Sequence, residues 1–250
     1  MTPDRIFDLC RFNFLFTSLI IQHIIHDYLV YSLISRTLAC LNYVIQFFSV
    51  LYLLLCFSRK GHVDYKSKGF LRLDYKPGTR YCRICNGYKP LRAHHCSRCN
   101  KCIKKMDHHC MWLSVCVNYD NHGDFIRFLF FSVLSMASSV YGFCLYIIRN
   151  YCTTLMKILF GYLFLYSLTV AVFCGVMLKL QIDLINRNVT YIEDQHYYVY
   201  DETSVYDRGL CNNWNEVMGS ALMLWMCRPS GDGISYERND GVEDDDINFV

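Results

Sequence analysis

A dense group of cysteines and histidines lies near the middle of this 250-residue chain. Between Cys82 and Cys116 the sequence contains seven cysteines and four histidines. Two tetrahedral zinc sites need eight thiolate or imidazole ligands, so a cysteine and two histidines are left over. A spare thiol beside spare imidazoles is the arrangement of an activated nucleophile. We therefore expect the chemistry of this protein in this segment.

Four apolar stretches predict transmembrane helices around that segment. Three of them carry no charge over about 20 residues, which is the length that crosses a bilayer. These three are 38–57, 128–148 and 158–178. The other stretch, Phe12 to Ile25, is shorter and is followed at once by His26 and Asp27. We count it as a retained span, not a cleaved signal peptide, because an even number of spans explains the distribution of charge.

Positive charge is concentrated in one part of the chain. Of the 25 Lys and Arg residues, 15 lie between Arg59 and Arg127, which separates the second and third apolar stretches. By the positive-inside rule, this segment and both tails face the cytosol. The net charge of +3 is then a sign of topology, and we expect no nucleic-acid partner. Because cytosolic thiols stay reduced, the cysteines are expected to bind metal or to react, not to form disulfides.

The predicted fold is an all-α membrane protein. It has four transmembrane helices and a cytosolic two-zinc cysteine-rich module between the second and third. The predicted parts are a cytosolic tail (1–11), a transmembrane hairpin (12–57), a cytosolic segment (58–127) containing the module (82–125), a second hairpin (128–180) and a cytosolic C-terminal region (181–250).

The C-terminal region divides further by composition. Apolar residues at helical spacing from Trp214 to Trp225 predict a helix, which we expect to pack within the protein or to lie at the bilayer interface. From about residue 229 the sequence is acidic and poor in apolar residues, so it is expected to be disordered. The sequence shows no obvious internal repeat.

The cysteine spacing by itself predicts zinc without fixing the type of module. Two Cys-x2-Cys pairs, at Cys82 and Cys96, lie within about 20 residues, and zinc is the usual metal for such ligands. These two pairs, taken alone, would also fit a RING-like or ribbon module.

The residues that follow resemble a known family. Asp107-His108-His109-Cys110, preceded by the series of cysteines, is similar to the DHHC protein S-acyltransferases, or palmitoyltransferases. The match has no gap from Cys82 to Asn121, and the four-span layout is also that of the family. Weaker matches follow the last span. They are Thr190-Tyr191-Ile192-Glu193, which resembles a Thr-Thr-x-Glu box, and Gly209, Asn213 and Gly219, which resemble an Asn-centred C-terminal motif.

The resemblance implies two structural zinc ions with interleaved ligands. One would be held by Cys82, Cys85, His95 and Cys102. The other would be held by Cys96, Cys99, His109 and Cys116. About 35 residues cannot build an apolar core, so the two metals would supply the folding energy of the module.

Three residues of the module are then not assigned as metal ligands, namely His94, His108 and Cys110. By the resemblance, Cys110 is the nucleophile that takes a long-chain acyl group from acyl-CoA (palmitoyl-CoA) and passes it to a cysteine of a target protein. His108 is expected to accept the thiol proton and Asp107 to orient the imidazole. For His94 we expect a structural hydrogen bond within the module.

The implied partners are long-chain acyl-CoA, the lipid bilayer and membrane-associated proteins with cytosolic cysteines. The acyl chain is expected between the spans, and the CoA phosphates near cations at the cytosolic face. The candidate cations are Lys89, Arg92, Lys101, Lys104 and Lys105. Both termini are expected in the cytosol, in a membrane of the endomembrane system such as the ER, the Golgi or the plasma membrane.

The sequence departs from the family pattern at several positions near the site. Met111 replaces a proline, Leu113-Ser114-Val115 precedes Cys116, and Asn118 stands where glycine is usual. We expect Asn118 to tolerate the positive φ of such a turn. Tyr191 replaces the threonine that the family uses to contact the catalytic Asp.

Two other functions are compatible with the pattern. A non-catalytic zinc-bearing membrane scaffold would keep the fold without the reaction. A membrane-anchored ubiquitin ligase is disfavoured because the ligand spacing is not that of a RING module and Cys110 is free.

Overall fold

The computed structural model describes residues 3–33, 36–65, 80–148, 153–200, 204–219, 229 and 231–239. Most of these residues are helical. The four long helices are α1 (Pro3–Leu33), α2 (Arg36–Ser58), α3 (His122–Ile148) and α4 (Thr154–Asn186). Two shorter helices follow, α5 (Tyr191–Tyr200) and α6 (Leu210–Met218).

Six short strands lie between α2 and α3. They are β1 (Tyr81–Cys82), β2 (Gly87–Tyr88), β3 (His94–Cys96), β4 (Lys101–Ile103), β5 (His108–Cys110) and β6 (Val115–Val117). Consecutive strands pair as three antiparallel hairpins. The all-α prediction did not include these hairpins, because strands of two or three residues are too short to produce a hydrophobic period.

Three helices within the described part of the chain are long and apolar enough to cross a membrane. They are residues Cys40–Ser58 of α2, and the whole of α3 and of α4. These helices contain the three charge-free stretches. The first predicted span lies in α1. Over its described residues α1 is not one of these three helices, so its span stays a prediction.

The long helices form one bundle. Helix α3 packs against both α2 and α4, and α1 packs against α2 and α3. Stacked rings of Phe48, Tyr52 and Phe131 fill the contact between α2 and α3, with ring centroids 5.2–6.2 Å apart. Such offset aromatic contacts add specific packing to the burial of apolar surface.

Four helix ends meet the three hairpins. Asp8 at the start of α1 accepts hydrogen bonds from Arg98 of the module. Arg59, just after α2, pairs with Asp124 at the start of α3. Near the end of α4, Gln181 donates to Asp107. These contacts place all four ends on the same side of the bundle, where the module lies.

The C-terminal region is fastened to the module by a buried ionic cluster. Arg92, whose side chain is fully buried, donates to both carboxylate oxygens of Glu193 at 2.8 and 2.7 Å. Lys105 pairs with Glu216 of α6 at 2.5 Å, and Asn188 bonds to both Arg92 and Glu216. Buried charges are tolerated when they are paired and hydrogen-bonded in this way.

The end of the described chain also packs on this cluster, which differs from the predicted disorder. Tyr236 is buried, and the Arg92 guanidinium lies 5.2 Å from its ring centroid and 4.3 Å from that of Tyr206. The Asn239 N–H donates to the Val205 carbonyl at 2.8 Å. Tyr236 of this segment packs with Tyr119 and Tyr206, so the segment buries apolar surface despite its acidic composition. Residues 240–250 lie outside the described part.

The predicted helix near the C-terminus starts earlier than expected. Helix α6 ends at Met218, and residues 220–228, including Trp225, lie outside the described residues. Val217 and Met218 pack against Ile126 and Ile185, at the module ends of α3 and α4. The helix therefore packs within the protein, which is one of its two predicted positions.

Candidate active site

The three hairpins are copies of one unit with a period of 14 residues. Register pairs repeat at this interval, as Tyr81 with Tyr88, His95 with Cys102, and His109 with Cys116. Each turn contains a residue with positive φ at the same place, namely Asn86 (55°), Asn100 (51°) and Ser114 (54°). The sequence therefore does contain an internal repeat. It is hard to see because few residues are shared by all three copies, but the 14-residue spacing of Cys82, Cys96 and Cys110 is its signal.

The repeat explains why the candidate metal ligands are interleaved. In one hairpin the end of the first strand and the turn each supply a cysteine, and the strands of the next hairpin supply a His and a Cys from opposite positions of the register. Two groups result, Cys82, Cys85, His95 and Cys102, and then Cys96, Cys99, His109 and Cys116. Within each group one ligand atom per residue lies within 4.8 Å of the others, so each group could hold a metal ion.

The donor sets fit structural zinc. Three thiolates and one imidazole form a closed tetrahedral shell in such sites. In the second group His109 Nδ1 lies 3.5 Å from each of the three sulfurs, and in the first group His95 Nδ1 lies 3.4–3.9 Å from its three. The N–H groups of Cys85 and Cys99 point at the sulfurs of Cys82 and Cys96, 3.4 Å away, which favours the thiolate form.

Cys110 belongs to neither group. It occupies the position of Cys82 and Cys96 in the third hairpin, but Leu113 stands where Cys85 and Cys99 stand in the others. Both Cys110 and Leu113 are buried in an apolar cluster with residues of α2, α3 and α4. The one cysteine of the module without a metal-ligand group therefore lies where the module meets the bundle.

The His108 imidazole lies between a carboxylate and this thiol. Its Nδ1 is 2.6 Å from Asp107 Oδ2, and the Cys110 thiol lies beside the ring. Burial lowers the pKa of His108, but the hydrogen bond to Asp107 and the nearby Cys110 outweigh burial and raise the pKa to about 9. A basic imidazole in contact with a thiol can take its proton and leave the thiolate.

The Asp107 carboxylate is held by three elements. Besides His108, it accepts from Gln181 Nε2 of α4 at 2.9 Å and from the backbone N–H of Tyr191 at 2.7 Å. Burial raises the pKa of Asp107, but the hydrogen bond from His108, nearby histidines and the Tyr191 N–H together hold it well below its ordinary value. Asp107 is thus a buried carboxylate kept ionised and fixed in orientation.

Two departures from the family pattern are explained by these contacts. Tyr191 contacts Asp107 through its backbone, so the missing threonine side chain is not needed for this contact. Asn118 does not adopt positive φ, contrary to expectation. Its side chain instead donates to the Cys116 carbonyl at 2.7 Å and accepts from the Asp120 N–H at 2.8 Å, while packing against Gly61.

The five candidate cations for the CoA phosphates are in different environments. Lys101 is exposed and Lys89 is partly exposed, whereas Lys104 pairs with Asp120 at 2.9 Å. Arg92 and Lys105 are not at an open face, because both are buried in the ionic cluster with Glu193 and Glu216. Sequence position alone did not separate these roles, since all five are basic residues of one segment.

Two functional contacts could not be seen in the sequence. Gln181 links Asp107 to His122, whose Nε2 lies 2.6 Å from Gln181 Oε1. Asp8 reaches the second metal-ligand group from α1, 101 positions before His109. Asp8 and Gln181 each lie among other polar and charged residues near a helix end, and no local pattern in the sequence names their partners.

Comparison with known proteins agrees with this geometry. The model of the DHHC palmitoyltransferase family matches residues 75–198. Probable protein S-acyltransferase 13 of Arabidopsis thaliana is 37% identical over 159 residues, or 59% of this chain and 51% of that protein. Palmitoyltransferase ZDHHC20 of Homo sapiens is 33% identical over 168 residues, or 63% of this chain and 46% of that protein.

The chain thus spans about half the length of these two curated relatives. It covers more of another, probable protein S-acyltransferase 15 of Arabidopsis thaliana. That protein is 32% identical over 180 residues, or 63% of this chain and 69% of the relative. On the family model and these similarities, the chain belongs to the DHHC palmitoyltransferase family.

Proposed function

We propose that this protein is a protein S-acyltransferase that transfers a long-chain acyl group, such as palmitoyl, from acyl-CoA to cysteines of target proteins. One observation carries the proposal. Cys110 is the cysteine of the module outside both metal-ligand groups, and it contacts His108, which is bonded to Asp107 at 2.6 Å. The names of the similar proteins, palmitoyltransferase and S-acyltransferase, support the same reaction.

In the first half of the reaction, His108 takes the proton of the Cys110 thiol. The thiolate attacks the carbonyl carbon of the acyl-CoA thioester, and the C–S bond to CoA breaks. The CoA thiolate leaves with the proton that His108 held. Asp107 keeps the imidazole in the tautomer that accepts at Nε2 and stabilises the charge that it gains.

In the second half, a cysteine of the target protein takes the place of CoA and the steps of the first half run in reverse. His108 takes the proton of the incoming thiol, the new thiolate attacks the acyl-Cys110 carbonyl, and Cys110 leaves with the proton. Each half exchanges one thioester for another, so little free energy separates reactants from products. Positioning and proton transfer are then the main catalytic tasks.

We assign a structural zinc ion to each of the two ligand groups. Zinc there fixes the hairpins that carry Asp107, His108 and Cys110. All four positions of each shell are filled by protein, so these sites leave no place for substrate.

The acyl chain and the CoA are proposed to lie on opposite sides of Cys110. Towards the bundle, Cys110 is in one apolar cluster with Leu53, Phe128 and Leu129, and each buried methylene contributes about 0.8 kcal/mol. Towards the module's polar surface, Lys89, Lys101 and Lys104 are the cations left for the CoA phosphates once Arg92 and Lys105 are assigned to the buried cluster.

The excess of Lys and Arg between the second and third apolar stretches supports a cytosolic position for the module and both tails. Four helix ends on the module side agree with four crossings. We propose membrane-associated proteins with cytosolic cysteines as substrates, and a membrane of the endomembrane system as location.

Autoacylation of the purified full-length protein tests the proposal. With labelled palmitoyl-CoA, wild type should gain a hydroxylamine-sensitive label that Cys110→Ser abolishes and Cys211→Ser keeps. Cys211 is the matched control because it is exposed, whereas Cys110 is buried, and uncatalysed acylation would prefer the exposed thiol. A label lost in Cys211→Ser but kept in Cys110→Ser, or no label in a zinc-loaded wild type, would refute the enzyme and favour the scaffold.

A further inference from the structure

Helix α1 reaches the second metal-ligand group through one buried carboxylate. Asp8 is fully buried and lies in the second turn of the helix. Arg98 Nη1 donates to both of its oxygens, at 3.0 and 2.8 Å, and His109 Nε2 lies 3.2 Å from Oδ2. Arg98 is in the turn of the second hairpin and His109 is in a strand of the third. Asp8 therefore joins the two hairpins that together form this group.

The orientation of the His109 ring determines which nitrogen faces the ligand group and which faces Asp8. Its Nδ1 faces the sulfurs of Cys96, Cys99 and Cys116, each at 3.5 Å, so Nδ1 is the nitrogen available to a metal. Nε2 is then the nitrogen that carries the proton, and it points at the Asp8 carboxylate. A carboxylate on the far nitrogen of a ligand histidine fixes its tautomer and ring orientation and makes the imidazole a stronger ligand.

The first group lacks this support. His95 also directs Nδ1 towards its three cysteine sulfurs, but its Nε2 is buried without a hydrogen-bond partner among the described residues. The two groups have the same donor set and the same hairpin geometry. The outer contact of the histidine is what distinguishes them.

We propose that Asp8 is a positioning residue that strengthens the second metal site and thereby holds the strand carrying Cys110. His109 directly precedes Cys110 in β5, so a His109 ring fixed by both metal and Asp8 fixes the backbone of the nucleophile. Arg11 adds a second link one turn along α1, since its Nη1 lies 3.5 Å from the Met111 sulfur, on the residue that follows Cys110. Helix α1 and the strand that carries Cys110 are in this way connected at two points.

This inference rests on the proposed zinc sites and does not require that the protein transfer acyl groups. The test is zinc retention by the full-length protein in detergent, with a chelator as competitor. Removing an outer-shell partner of a ligand typically weakens metal binding by about 10- to 100-fold. For Asp8→Ala we therefore expect one of two zinc ions to leave about 10- to 100-fold more readily, while the other behaves as in wild type.

Alkylation followed by peptide mass spectrometry identifies the affected site. In Asp8→Ala, Cys96, Cys99 and Cys116 should become reactive, and Cys82, Cys85 and Cys102 should stay protected. Asp8→Asn keeps a hydrogen-bond acceptor without the charge, so its zinc release should lie between those of wild type and Asp8→Ala. Asp120→Ala is the control, because it removes a carboxylate of the module that pairs with Lys104 and touches no ligand.

Unchanged zinc release in Asp8→Ala would overturn the proposal. Equal loss from both sites would overturn it too, because Asp8 would then support the module as a whole and not the second site. A wild type with fewer than two zinc ions would refute the proposed ligand sets along with it. Two retained zinc ions and a selective effect of Asp8→Ala, in a protein that fails to autoacylate, would uphold Asp8 and refute only the proposed function.

Discussion

The proposed nucleophile Cys110 differs from two equivalent cysteines in the residue three positions later. Cys82 and Cys96 are followed at that position by a second cysteine, and each pair serves a metal-ligand group. Cys110 is followed by Leu113, which is 2% exposed and packs into the apolar cluster at the bundle. The third hairpin thus lacks the second cysteine, and α3 follows it in place of a further hairpin that could supply a His and a Cys, so the Cys110 thiol stays outside both groups.

His108 gives the residue-scale prediction. It is adjacent to the ligand His109, but its own imidazole bonds to Asp107 and lies beside Cys110. General acid–base catalysis typically contributes about 10²- to 10⁴-fold, so His108→Ala should slow autoacylation by that order. Zinc content, measured by elemental analysis, should stay at two per chain. Loss of zinc with little loss of rate would mean that the roles of the two histidines are reversed.

At the scale of elements, α5 contributes to the site through the backbone at its first residue. The Tyr191 N–H is one of the helix N-terminal donors that have no partner within the helix, and it donates to Asp107. Glu193 in the same turn closes the helix start by accepting from the Thr190 N–H at 2.8 Å, while the Thr190 hydroxyl accepts from the Glu193 N–H at 3.2 Å. This reciprocal cap fixes where the Tyr191 N–H points.

A matched pair of substitutions tests this backbone contact. Proline is tolerated at the first position of a helix but lacks the N–H, so Tyr191→Pro should remove the donor and keep α5. Hydrogen bonds to charged groups contribute about 1.5–3 kcal/mol, which predicts at least about a 10-fold slower autoacylation. Tyr191→Ala keeps the N–H and should stay within about twofold of wild type. Equal rates in both variants would show that the contact is not used.

Whether the sequence predicts a contact depends on how many residues separate the two partners along the chain. Local spacing predicted the three apolar spans. Together with the family resemblance, it also predicted which residues form each of the two ligand groups, and the structure brings these residues together. The partners of Asp107 on α4 and α5, and of His109 on α1, lie 74 to 101 positions away, and no local pattern encodes them. Burial of Arg92 and Lys105 escaped prediction for the same reason, since their carboxylate partners come from α5 and α6.

At the scale of the whole molecule, the buried ionic cluster joins the module to the C-terminal region. Arg92 belongs to the hairpin segment, Glu193 to α5 and Glu216 to α6. Burial lowers the pKa of Arg92, but the charges of Glu193 and Glu216 outweigh burial and raise it, so the guanidinium stays charged. Tyr206 and Tyr236 lie against the same guanidinium and bring the last described segment to the cluster.

The cluster should matter for stability far more than a surface ion pair. Arg92→Met leaves the buried Glu193 carboxylate without its main partner and removes one of the cations beside Glu216, and breaking a buried pair typically costs about 3–5 kcal/mol. Arg187→Met removes the exposed pair with Asp194, and should cost about 1 kcal/mol or less. Thermal unfolding in detergent should therefore show a large drop of Tm for the first variant and almost none for the second. Similar Tm values for the two would show that the cluster does not hold the parts together.

The central claim is that two metal sites hold one reactive thiol, and intact-protein mass spectrometry tests it most directly. After brief incubation with palmitoyl-CoA, native spectra of the wild type should show two zinc ions and one acyl group per chain, and peptide analysis should place that group on Cys110. A target thiol added afterwards should remove the acyl group and leave both zinc ions. An acyl group on any cysteine of the two ligand groups, or acylation that requires loss of zinc, would contradict the account.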